Sequence, residues 1–280
     1  MGWWVVINEI GSLLFLQIDL IVVNLLFGDI SAGEYAIALQ WVILLRAVAG
    51  VLSGILTPTI FSYYARGETE TLIRIVKSAV KLLGLAIALP VGLVCGLAPQ
   101  LLIVWVGEQF IFLAPLMIVL TIHQTINLAV LPLFSINVAH NKVRIPGILT
   151  FFMGFGNLAL AIVLPLLTGW NYYGIAIAGA IVLTLKNALF TPWYATRVLK
   201  TNGHTFTSSM LPGVAATALI IAAAIILGIV LPLDALAILA MAGSIITVTY
   251  IMMVWRFGLN GDERELFESY IPKKLRRNPI

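Results

Sequence analysis

From Ser209 to Leu231 the chain carries no charged side chain, and seven further stretches, at 3–27, 34–63, 78–97, 110–138, 146–168, 173–195 and 233–255, are nearly as apolar. A helix needs about 20 such residues to cross the ~30 Å hydrocarbon core of a bilayer. With no water inside that core, each segment must satisfy its own backbone polar groups, which favours helices. Punctuation that ends helices separates the runs: Gly28-Asp29, Arg66-Gly67-Glu68, Asn141-Lys142, Gly169-Trp170-Asn171, Thr201-Asn202-Gly203 and Leu231-Pro232. The reading is an all-α polytopic membrane protein of about eight transmembrane helices, a single bundle over 1–258 with a tail at 259–280. Composition agrees, at 61% hydrophobic and only 10% charged, against about 25% charged in soluble domains. The segment 98–109 is predicted to be an apolar turn at the interface, because Pro99 and Gly107 interrupt any longer helix.

Lysine and arginine predict the orientation. Alternate loops carry Arg66, Arg74, Lys77 and Lys81, then Lys142 and Arg144, then Arg197 and Lys200, then Arg256 through Arg277. The intervening loops, near 29, 99–109, 170 and 232, carry none. Fourteen of the sixteen basic residues thus fall on one side and two within spans. The positive-inside rule makes that side cytoplasmic and puts both termini there, in a plasma (inner) membrane. Trp105, Trp170, Tyr172 and Tyr173 then belong to the outer interface, where amphipathic rings collect. The tail opens at Asn260-Gly261-Asp262, aligns Leu266, Phe267, Tyr270 and Ile271, and ends in Lys273, Lys274, Arg276 and Arg277. That pattern suits a helix lying on anionic membrane lipid. A net charge of +4 distributed this way does not call for nucleic acid.

Catalytic signatures are missing. The single cysteine, Cys95, lies in an apolar run and reads as a buried small hydrophobe. His123, His140 and His204 lack metal-ligand spacing, and there is no phosphate loop, zinc-protease or nucleophile-elbow motif. No enzyme, cofactor or metal site is expected.

Polar residues inside the spans are the candidate site. A charge at mid-bilayer costs about 2.5–3.5 kcal/mol on insertion scales, so those that persist are functional candidates. Helical spacing aligns Arg46, Gly50, Ser53 and Thr57 on the second helix. Thr184, Asn187 and Thr191 align on the sixth, with Lys186 beside them. Asn8, Ser12 and Asp19 align on the first, with Glu9 adjacent, and the fourth offers His123, Gln124, Asn127 and Ser135. Lanes of this kind on four helices imply a shared hydrated cavity. Its cations Arg46 and Lys186 suit the phosphate oxygens of an anionic cargo. Two alternatives stand beside this: Arg46 ties the first two helices through Asp19 or Glu9, and the His123 group only packs helices. Gly50-x-x-x-Gly54 and Gly92-x-x-x-Gly96 are expected to bring helices of the same bundle together. The mid-span prolines Pro90, Pro132, Pro165 and Pro192 are candidate bending points.

Several runs carry a resemblance: FLQIDLIVVN from Phe15 to Asn24, AGEYA from Ala32 to Ala36, Leu56-Thr57-Pro58, and LIVWVGEQF from Leu102 to Phe110. PLFSI from Pro132, AHNKVRIPG from Ala139 to Gly147, and LKNALFTP from Leu185 to Pro192 add to it. Over about residues 1–200 the chain resembles the second lobe of the multidrug/oligosaccharidyl-lipid/polysaccharide exporter superfamily, and most closely the Wzx-type polysaccharide flippases. The resemblance implies a MATE/Wzx-like lobe, helices seven to fourteen, that carries polyprenyl-pyrophosphate-linked saccharides by alternating access through a cationic cavity. Arg46 and Lys186 would be this lobe's share of that cavity. The chain departs from the pattern in having no first lobe, and no basic residue precedes Arg46 to orient the opening helix. A missing amino-terminal lobe, or a second copy in its place, is therefore an expected partner. Other readings are a cation-coupled drug exporter of the same superfamily, and a non-transporting membrane subunit or remnant.

Overall fold

Tyr35 donates its hydroxyl to Asp19 Oδ2 at 3.3 Å. Sixteen residues of straight helix would hold these side chains about 24 Å apart, so the chain has doubled back between them. The bend is at Gly28, with φ 83° and ψ 177°, a region that essentially only glycine occupies. The opening segments are thus a hairpin of two helices with almost no loop, and Asn24 Nδ2 donates to Asp29 Oδ1 across the bend at 2.9 Å.

The computed structural model describes residues 3–4, 6–7, 10–11, 17–230, 236–261 and 263–264. In order these form α1 (Ile18–Ala65, bent at Gly28), α2 (Thr69–Gly96), α3 (Ala98–Trp105) and a 3₁₀ turn (Glu108–Leu113). Next come α4 (Ala114–Ile122), α5 (Gln124–Ala129), α6 (Leu131–Ala139), α7 (Arg144–Thr168) and α8 (Asn171–Leu185). A π turn (Lys186–Phe190) joins α8 to α9 (Thr191–Leu199), and α10 (Thr205–Val230), α11 (Leu236–Met253) and a closing π turn (Val254–Gly258) complete the order. Among the described residues seven helical stretches are long and apolar enough to cross a membrane, the first holding the hairpin's second arm and the end of its first. The protein is an all-α polytopic membrane protein. Asn8, Glu9, Ser12, the Leu231-Pro232 turn, Asp262 and the tail from residue 265 lie outside the described residues.

The interface segment differs from its expectation. Residues 98–105 are a helix, with Pro99 in its first turn. Proline lacks a donor that the first turn would leave unpaired anyway, so it starts a helix there instead of breaking one. Gly107, at φ 111°, turns the chain back into the bundle. The fourth span is likewise built from three short helices, α4 to α6, meeting at His123 and Val130; Pro132 opens α6.

Lipid tails are as apolar as leucine, so packing and interhelical hydrogen bonds must join the helices. The tightest seam is α2 against α10. A Cβ on Gly92 would meet Ile220 at 2.6 Å, one on Gly96 would meet Ala224 at 2.5 Å, and one on Gly213 would lie 2.8 Å from the carbonyl carbon of Gly84. Thr125 and Thr217 share a hydrogen bond at 2.8 Å beside it, and Cys95 is buried close by. The other glycine pair is a correction. Among the described residues a Cβ on Gly50 or Gly54 would meet nothing within 4 Å, so no helix of the bundle packs closely on that pair.

The basic loops gather at one end. The rings of Tyr64 and His140 lie 4.4 Å apart, Tyr194 donates to the Lys142 carbonyl at 3.1 Å, and Arg144 sits over Trp4 at 5.2 Å. At the other end Trp41 and Trp105 pack edge to face at 5.7 Å, Tyr172 and Tyr173 stack at 5.3 Å, and Tyr172 donates to Glu34 at 3.1 Å.

Candidate functional site

The π turn at Lys186–Phe190 sets the geometry of the site. Pro192, just beyond it, cannot donate to a carbonyl four residues back, and its ring crowds that carbonyl. Widening the helix ahead of the proline relieves the conflict, and π turns of this kind recur at functional sites. The widened turn carries Lys186 and Asn187 inward together, leaving them 6% and 4% exposed. Lys186 Nζ lies 5.3 Å from the centre of the Phe134 ring, a cation–π contact. Counting along the helix, Lys186 is roughly 20 Å from either end of its span.

Asn127, on α5, is the hub. Its Nδ2 lies 2.6 Å from His123 Nδ1 and donates to Thr184 Oγ1 at 3.3 Å. Its Oδ1 accepts from Asn187 Nδ2 at 3.1 Å, and Thr191 donates to Asn187 Oδ1 at 3.2 Å. The lanes of the fourth and sixth spans are thereby one network. Beside it a cavity of about 260 Å³ is walled by Arg46, Gly50, Gln124, Asn127, Lys186 and Asn187, closed by Leu128, Leu131, Phe134 and Leu183. Both intramembrane cations line it.

A narrower cleft of about 20 Å³ continues past Arg46 and Gln124 to Asp19. Arg46 is near enough to Asp19 and Tyr35 to interact with both electrostatically. Two atoms here are conspicuous. Asp19 Oδ1 and Gln124 Oε1 are buried and accept no hydrogen bond from the described residues. Leaving such a group unsatisfied costs about 1–3 kcal/mol, so each is suited to a donor brought by water or cargo.

Six of the eight residues singled out from the sequence therefore line these connected spaces: Asp19, Arg46, Gln124, Asn127, Lys186 and Asn187. Ser53 does not line either space; it is buried two turns further along α1. Thr57, of the same stripe, meets Ser135 on α6 at 3.0 Å. Asn8 lies outside the described residues. Sequence reasoning missed Tyr35, Phe134 and Gly179. A Cβ on Gly179 would sit 3.2 Å from Asp19 Oδ2, so glycine is what admits the carboxylate. The small-residue run around Gly179 was a readable signal for that contact; nothing marked Phe134.

No protein-family model matches the chain, and no solved structure does. A curated protein of Bacillus subtilis (strain 168), described as an uncharacterized membrane protein, EpsK, is 36% identical over 265 residues, covering 95% of this chain and 52% of that protein. The chain is thus similar, almost throughout, to a membrane protein about half of whose length it spans.

Proposed function

We propose that this chain is one bundle of a transporter that flips lipid-linked, anionic saccharides across the plasma membrane, as the resemblance to Wzx-type flippases suggests. The observation that carries this reading is the mid-depth cavity lined by both Arg46 and Lys186. Lys186 is buried and Arg46 half-buried; cations at this depth are costly in hydrocarbon, and a pyrophosphate linkage suits both through charge-assisted hydrogen bonds. Gln124 Oε1 and the Asn127–Asn187 pair offer acceptors and donors to sugar hydroxyls. A second bundle, from further chain or a second copy, completes the cavity.

The test is reconstitution. A fluorescent polyprenyl-pyrophosphate saccharide in liposomes should be flipped by this chain together with its second bundle, and not by protein-free vesicles. No flipping by any such assembly, across lipid-linked sugars of several kinds, would sink the proposal. Flipping of cationic drugs instead would favour the drug-exporter reading.

The orientation has its own check. In a Cys95→Ala background, a membrane-impermeant thiol reagent should label Glu108→Cys in sealed cells and spare Asn202→Cys. The opposite pattern reverses the sidedness.

A further inference from the structure

At the basic end, away from the Arg46 cavity, α2, the start of α10 and the segment after α11 enclose a second space of about 490 Å³, lined among others by Arg74, Lys77, Lys81, Ser208, Ser209 and Glu263. It shares no lining residue with the Arg46–Lys186 cavity. One wall is tied down internally. Lys81 Nζ meets Glu263 Oε2 at 2.7 Å, the same oxygen accepts from the Asn260 N–H at 2.8 Å, and the Glu263 side chain is 5% exposed. Glu70 stands on α2 one turn from Arg74. Three cations therefore face two carboxylates; Lys81 meets Glu263, and the exposed side chains of Arg74 and Lys77 stand at the opening.

This polar space adjoins an apolar one. Pro212 lines it and also lines a groove of about 570 Å³ between α10 and α11. The groove runs past Ala215, Leu219 and Ala223 to Leu227 on one side, and past Ile245 and Met253 on the other. Leu219, Ile245 and Met253 are each more than half exposed, at 70%, 52% and 58%, so the groove opens sideways to lipid. From Pro212 to Leu227 is about 22 Å along the helix, enough for a chain that must cover half of a ~30 Å hydrocarbon core.

We propose that this corner binds an anionic phospholipid of the leaflet at the basic end, with its phosphate at Arg74 and Lys77 and one acyl chain in the groove between α10 and α11. Guanidinium and ammonium are the groups that hold phosphate oxygens, and basic pockets between transmembrane helices are established headgroup sites. A cationic cavity placed end-on to an apolar groove has the shape of an amphiphile. A free inorganic anion would leave the groove unused.

The experiment uses the full chain, purified in detergent and stripped of lipid, and adds phosphatidylglycerol, phosphatidylcholine or inorganic phosphate. Bound lipid is counted by native mass spectrometry, and the thermal-unfolding midpoint is followed in parallel. Phosphatidylglycerol should be retained and should raise the midpoint, with phosphatidylcholine and phosphate doing neither. Arg74→Ala with Lys77→Ala should weaken phosphatidylglycerol binding about thirtyfold, from the value of a basic residue near an anionic headgroup. Ala223→Trp, at an exposed position that fills the groove without touching the charges, should weaken it as well. Equal retention of phosphatidylcholine overturns the headgroup assignment. Inorganic phosphate reproducing the midpoint shift, or unchanged phosphatidylglycerol binding in Ala223→Trp, overturns the lipid.

Discussion

Removing both intramembrane cations, Arg46→Ala with Lys186→Ala, is expected to lower flipping by about a hundredfold or more. Each single change should cost about tenfold. A hydrogen bond to a charged group is worth about 1.5–3 kcal/mol, and every 1.4 kcal/mol is tenfold. The two residues line one cavity, so under the proposed function they face the same cargo. The readout is the initial rate of fluorophore flipping in liposomes, normalised to folded protein. A double variant within twofold of the parent rate would defeat the cargo reading. Arg46→Lys should retain only part of the activity, since an ammonium cannot reproduce a bidentate fork. If Arg46 serves chiefly as a tie to Asp19, the pattern changes. Arg46→Gln or Asp19→Asn alone then lowers stability by leaving one buried charge uncompensated, and the pair together restores it.

The second large effect is structural. Gly213→Leu should abolish the folded bundle, with little monodisperse protein surviving extraction. The Cβ of any residue at 213 would lie 2.8 Å from the carbonyl carbon of Gly84 and 2.9 Å from its oxygen. Those atoms are backbone and cannot rotate aside, so α2 and α10 must separate, which also pulls α10 from α5, to which the Thr125–Thr217 hydrogen bond ties it. Overpacking by even a methylene or two costs about 1–3 kcal/mol, and Gly213→Ala should fall in that range by its shift in thermal midpoint. Gly50→Leu is the control. Its Cβ faces open space, so the isolated chain should remain folded. Parent-like stability of Gly213→Leu would show that the seam is not packed as described.

That contrast marks what the sequence could tell. Gly50-x-x-x-Gly54 and Gly92-x-x-x-Gly96 are the same signature, yet one meets open space and the other presses on Ile220 and Ala224. Local spacing says that a helix can be approached closely, and only the fold says by what. The spans themselves were legible because hydropathy is a sum over twenty residues and tolerates small errors at each. Arg46 and Lys186 were legible because an intramembrane charge has few bland explanations. Pro99 was misjudged since a proline that ends one helix can equally begin the next, and the choice depends on whether the chain turns before it. The joining of Lys81 to Glu263, far apart along the chain, left no trace in any local pattern. Nor did the meeting of Lys186 with Phe134.

The π turn reaches further than its five residues. It inserts one residue's worth of rotation, about 100°, between α8 and α9. Everything from Thr191 to Leu199 is therefore presented to its neighbours as though the chain had slipped by one place. Tyr194 reaches the Lys142 carbonyl in that slipped phase. The span works like two cams keyed to one shaft at different angles: the half nearer the aromatic end follows Asp19 and the first helices, and the half nearer the basic end follows the loops there. Either half can be altered in sequence without re-timing the other, so long as the key between them is kept.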